Sequence, residues 1–115
     1  MSDCILCRVA SGAIPASIVE RTSEMVAFRD IQPQAPTHVL VIPVQHVGAV
    51  RDAAGPEGEA LLGRMLTFTA KVATSLGLDA GGYRIVTNTG DHGGQSVHHL
   101  HLHLLGGRQM HWPPG

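Results

Sequence analysis

The sequence predicts one α+β domain, a single long helix packed on one face of a sheet. Three patterns carry that expectation. One long stretch has helical apolar periodicity, a β-branched run reads as a buried strand, and a late segment alternates histidine with leucine. A chain of 115 residues has no room for a second domain, so residues 1–115 are read as one unit with 106–115 as a C-terminal tail.

The elements follow in order. Cys4 to Ser11 reads as a short helix or turn ending at Gly12, and Pro15 then breaks the chain. Ser17–Arg21 and Met25–Asp30 are short strands around a hairpin turn at Glu20–Glu24. Ile31–Thr37 holds two prolines and reads as a loop, and His38–Pro43 as a buried strand. Leu61, Leu62, Met65, Phe68, Val72 and Leu76 form one helical stripe. Pro56 suits the first turn of that helix, Glu57 and Glu59 complement its positive end, and Gly77 stops it. Tyr83–Asn88 reads as a strand, Thr89–Ser96 as a glycine-rich loop, and Val97–Leu105 as a last strand ended by Gly106 and Gly107.

Composition excludes several classes. Hydrophobic residues at 43% and charged residues at 15% exclude wholesale disorder. A formal charge of -1 argues against nucleic-acid binding, which needs clustered positive charge. The apolar run Val39–Val44 is too short to span a bilayer. Met1-Ser2-Asp3-Cys4 has neither a basic nor a long apolar signal region, so the cytoplasm is expected. Two cysteines make no disulfide framework.

Eight histidines are the oddity, and five of them fall between His92 and His103. On a strand, His99, His101 and His103 share one face, about 6.7 Å apart, while Leu100, Leu102 and Leu104 face the core. A solvated polar face, a shared catalytic metal and an anion site are the three readings of such a row. The loop Gly90-Asp91-His92-Gly93-Gly94-Gln95-Ser96 favours an anion, because its glycines let backbone N–H groups approach phosphate oxygens.

The segment His99-Leu100-His101-Leu102-His103-Leu104-Leu105 resembles the signature of the histidine triad (HIT) superfamily. Ala27–His38, Gly93–Val97 and the ending Gly106–Gly115 are similar to its Hint branch, so the resemblance covers nearly the whole chain. It implies a five-stranded antiparallel sheet with one long and one short helix, and a homodimer joined into a ten-stranded sheet. It also implies a purine nucleoside phosphoramidase that cleaves the P–N bond of AMP–amine conjugates through a nucleotidyl-histidine, with no cofactor required for catalysis. A regulatory AMP-binding module and a metal-dependent hydrolase are the alternatives, and neither nucleic acid nor membrane is an expected partner.

The resemblance assigns His101 as nucleophile, its other ring nitrogen donating to the His99 carbonyl. His103 holds a phosphate oxygen, His38 buttresses the triad, and Ser96 donates to phosphate or to the leaving nitrogen. Asp30 falls at the ribose hydroxyls, Phe28 and Ile31 at the base, and Asn88, Gly94, Gln95 and Ser96 at the phosphate. Read without the family, Phe28 and Ile31 are equally core residues, Asn88 a turn residue and Asp30 a cap. Cys4 and Cys7 form a lone C-x-x-C, and the resemblance adds His46 and His99 to complete a structural zinc set. A metal-free buried thiol pair is the alternative. His98, where Hint proteins often have tyrosine, is expected opposite the triad, and His92 and His111 in solvent. Trp112 either packs on its own domain or, as in Hint tails, reaches the partner's site.

Overall fold

A computed structural model describes residues 3–115; Met1 and Ser2, where the segment read for a signal begins, lie outside the described residues. The elements run α1 (Ile5–Ser11), β1 (Ile18–Arg21), β2 (Met25–Arg29), β3 (Thr37–Pro43), a 3-10 turn at Val50–Asp52, α2 (Gly55–Ser75), β4 (Tyr83–Val86) and β5 (Leu102–Gly106). The five strands form one antiparallel sheet in the order β1-β2-β3-β5-β4, as the family resemblance implies.

The sheet is covered on both faces. On one, Leu61, Met65, Val72 and Ala73 of α2 pack on Met25, Ala27, Val39, Val41, Leu100, Leu102 and Leu104. On the other, Leu6, Val9 and Ala10 of α1 pack on Val26, Phe28 and Ile42. This double cover explains why β2 and β3 read as apolar runs without clean alternation.

Helix α2 ends as the sequence predicts. Gly77 takes φ +76°, and the Leu78 N–H bonds the Ala73 carbonyl while the Gly77 N–H bonds that of Thr74, the paired bonds of a Schellman stop. Helix α1 is capped by a sulfur: Cys4 precedes it in extended conformation, and its Sγ accepts the Cys7 N–H at 3.4 Å. No helix among the described residues is long and apolar enough to cross a membrane.

Most strand limits differ from expectation by a residue or two, as at Tyr83–Val86 against Tyr83–Asn88. The last strand differs more, starting at Leu102 and not Val97. The register from Thr37↔Gly106 to Val41↔Leu102 would next pair Ile42 with His101 and Pro43 with Leu100. Pro43 has no N–H, and its carbonyl oxygen lies 2.9 Å from His99 Nε2. The Leu100 N–H instead bonds the Val47 carbonyl, and Thr87 Oγ1 donates to the His101 carbonyl at 3.0 Å where the β4 ladder stops. The histidine–leucine alternation survives, but its first half is held by loops and side chains. Gly106 closes β5, and residues 107–115 carry no regular structure.

Candidate active site

The histidines gather on the α1 face of the sheet. His38 and Leu40 on β3 lie beside His103 and Leu105 on β5, with Leu40 opposite His103 and His38 opposite Leu105. His38 Nε2 and His103 Nδ1 are 2.9 Å apart, and the His101 and His103 ring centroids 5.1 Å. Asp30 Oδ2 lies 3.5 Å from His38 Nε2, while Asp30 Oδ1 accepts the Gln32 N–H at 2.8 Å.

Backbone partners fix the ring protons. A carbonyl only accepts, so His101 Nδ1 carries a hydrogen, donated to the His99 carbonyl at 2.7 Å, and its Nε2 keeps a lone pair. By the same logic His99 donates Nε2–H to the Pro43 carbonyl, and its Nδ1 keeps a lone pair.

Burial disfavours the charged form of His38, His99 and His103. It pulls His38 below the usual histidine value despite the opposing Asp30 carboxylate. His99 is lowered by burial against the opposing bond to Pro43, with His46 and His101 adding to the lowering. His103 falls to about 4, by burial first and then by His101 and His38, with Asp30 opposing.

The His99 lone pair faces two sulfurs. Its Nδ1 lies 3.3 Å from Cys4 Sγ and 3.4 Å from Cys7 Sγ, and His46 Nδ1 lies 3.3 Å from Cys7 Sγ. The four ligand atoms all fall within 4.8 Å of one another. Tetrahedral zinc with ordinary Zn–S and Zn–N lengths separates its ligand atoms by about 3.3–3.8 Å. Two thiols, two imidazole lone pairs and a backbone partner on the far nitrogen of His99 fit that ion. Without a metal, burial and then Cys4 raise the Cys7 thiol, so that thiol stays protonated until an ion displaces the proton.

The glycine loop is brought to the histidines by Thr87. Its bond to the His101 carbonyl sets Asn88 alongside, and Asn88 Nδ2 donates to the Gly93 carbonyl at 2.6 Å. Gly93 admits no side chain, since a Cβ would sit 2.3 Å from the Thr89 carbonyl oxygen, and Gly94 takes φ +78°. Ser96 is exposed at the loop exit. Gln95 is engaged differently from what the family match suggests. Its Nε2 donates to the Gly48 and Val97 carbonyls at 2.8 and 3.1 Å, its Oε1 accepts the Gly90 N–H, and its own N–H bonds the Gly90 carbonyl.

The remaining residues divide. Phe28 is packed in the α1 core at 7% exposure, whereas Ile31 is 94% exposed. Trp112, at 83% exposure, does not pack on its own domain. His92, His98 and His111 are exposed. Sequence reasoning missed Pro43, Val47 and the Gln34 amide because they act through backbone atoms. Thr87 had one available signal, a hydroxyl residue at the end of a strand.

A sheet with α2 on one face and a row of alternating histidines on the other defines a histidine triad fold, and the comparisons with known proteins agree. Residues 11–110 match the model of the HIT domain, and the chain belongs to that family. An uncharacterised HIT-like protein of Synechococcus elongatus is 49% identical over 113 residues, spanning 98% of this chain and 97% of its own. The purine nucleoside phosphoramidase of Escherichia coli K12 is 47% identical over 106 residues, spanning 92% and 88%. The crystal structure of a HIT family hydrolase from Legionella pneumophila superposes with TM-score 0.94 at 49% identity, over 98% of this chain and all of that one. A histidine triad protein from Clostridium difficile gives 0.93 at 36% identity, over 96% of each.

Proposed function

We propose that the protein is a nucleoside phosphoramidase that releases a purine nucleoside monophosphate and an amine from a P–N conjugate. The observation that carries this reading is His101, with Nδ1–H held on the His99 carbonyl at 2.7 Å and Nε2 left as a free lone pair. The 47% identical phosphoramidase of Escherichia coli supports the substrate class.

In the first step His101 Nε2 forms a bond to the α-phosphorus. The P–N bond to the amine breaks, and the departing nitrogen takes its electron pair and a proton. In the second, water attacks the phosphorus and releases one proton to solvent, the His101–phosphorus bond breaks with its electron pair returning to Nε2, and the monophosphate leaves with the imidazole restored. His103 donates to a phosphate oxygen, the loop of Asn88, Gly94 and Ser96 cradles the others, and Gln95 keeps that loop in shape. Asp30 receives the ribose, and exposed Ile31 with the edge of Phe28 receives the base. No cofactor enters either step. Cys4, Cys7, His46 and His99 would hold a zinc ion, which supplies a cross-link between the start of α1, the chain after β3 and the backbone that orients His101.

The same reading makes the protein a cytoplasmic homodimer, joined through an edge of the sheet and with the tail bearing Trp112 near the partner's site. The two edge strands, Ile18–Arg21 and Tyr83–Val86, each have one side without a strand partner among the described residues, and such an edge is what a ten-stranded sheet needs.

The deciding experiment follows adenosine 5′-phosphoramidate or an AMP–lysine conjugate with EDTA present and traps the protein in mid-turnover for mass spectrometry. Wild type should hydrolyse the substrate and carry an AMP adduct on His101. His101→Gly should lose about 10³-fold or more of kcat while still binding AMP. Undiminished turnover in that variant would remove the nucleophile, and AMP binding with no wild-type turnover would leave a binding module.

A further inference from the structure

His38 has its own backbone partner. The Gln34 N–H donates to His38 Nδ1 at 3.0 Å, so that nitrogen is the lone-pair side and Nε2 carries the hydrogen. From Nε2, His103 Nδ1 lies at 2.9 Å and Asp30 Oδ2, which when ionised only accepts, at 3.5 Å. Both neighbours call for a hydrogen on His38 Nε2. His103 Nδ1 is then an acceptor, and a neutral ring keeps its one hydrogen on Nε2, the nitrogen turned away from His38. The opposite assignment would place a hydrogen on His38 Nδ1 directly against the Gln34 N–H.

We infer that His38 is a positioning residue that sets the tautomer of His103, making it a neutral Nε2–H donor to phosphate and not the acid that protonates the leaving amine. A relay of two hydrogen bonds thus runs from a loop amide to the active site. The groups facing His103 agree: His38 and Leu40 from β3, Asp30 from the loop before β3, and His101 from its own segment. Burial and two neighbouring imidazoles disfavour a cation there, and only the Asp30 carboxylate opposes them. The leaving nitrogen must then take its proton from outside these rings, from the Ser96 hydroxyl or from water. The same relay excludes a metal on Asp30, His38 and His103, although their ligand atoms cluster within 4.8 Å, because His38 has no lone pair on Nε2 to offer.

The inference rests on the phosphoramidase reading for what His103 touches, but the tautomer can be measured without turnover. Long-range 1H–15N imidazole spectra of the full chain, free and with AMP, at pH 7, should show His103 with Nδ1 unprotonated and Nε2 protonated. A protonated His103 Nδ1 overturns the inference, whether or not the enzyme turns over. Correct tautomers in a protein that never cleaves phosphoramidates would overturn the phosphoramidase reading alone. His38→Phe should blur the His103 signature into a mixture of tautomers and lower kcat roughly tenfold to hundredfold, with KM changing less. His38→Gln, which returns an N–H near the Nε2 position, should restore the signature and most of the lost kcat. A His103 tautomer still fixed in the phenylalanine variant would overturn the role of His38.

Discussion

Gln95 commits both ends of its side chain to backbone, and that decides what its loss does. Its amide joins the Gly48 carbonyl to the loop that begins at Gly90, and it is 9% exposed. Replacing it with leucine keeps the bulk but leaves two carbonyls and an N–H without their partner. Unpaired buried polar groups cost about 1–3 kcal/mol each, and partial access of water reduces that here. Gln95→Leu should therefore lower stability by about 1–3 kcal/mol in urea unfolding and reduce phosphoramidate turnover as the loop loosens. An unchanged midpoint would show that the brace is idle, and the phosphate-side role implied by the family match would regain ground. The family motif makes Gln95 conspicuous in the sequence, yet which atoms it satisfies depends on Gly48, far away in the chain.

At the scale of elements, the parts legible in the sequence are those made by local periodicity. The α2 stripe, its glycine stop and the inward leucines at Leu100, Leu102 and Leu104 are read from 3.6- and 2-residue repeats and observed as such. The start of β5 is not legible, because it is set by the missing N–H of Pro43, at the end of β3, and by Thr87, just past the end of β4. The Cys4–Cys7 pair is intermediate. Its spacing hints at a metal, but only the fold brings His46 and His99 to the sulfurs. Tying α1 to the chain after β3 has a measurable consequence. Protein expressed with zinc should carry about one ion per chain by elemental analysis. Stripping it with a strong chelator, or making Cys7→Ser, should lower Tm by roughly 5–10 °C. A metal-free protein whose Tm ignores both treatments would leave a plain thiol pair at the head of α1.

For the whole molecule, burying neutral imidazoles ties stability to pH. His38 and His103, away from the metal set, both titrate below the ordinary histidine value in the folded state, His103 at about 4. An unfolded chain takes up these protons near pH 6.5, before the folded one does. Between about pH 6.5 and 4 the unfolded state therefore binds more protons, and stability falls with every step toward acid. Above pH 7 both states are neutral at these rings, and this contribution is fully present and flat. His103 alone accounts for on the order of 1–2 kcal/mol across that window, once solvent screening of a half-buried ring is allowed for, and His38 adds to the decline. Urea unfolding should thus show a plateau from pH 7 to 8 and a steady fall from pH 6.5 toward 4. His103→Asn, which cannot titrate, should start less stable or equal at pH 7 but lose less on acidification. The same burial that keeps His103 a neutral donor makes the fold acid-sensitive, so the two properties should move together. A wild-type stability that stays level down to pH 4.5 would mean that these rings take up protons as readily in the folded protein as in the unfolded one, and burial would not be what holds His103 neutral.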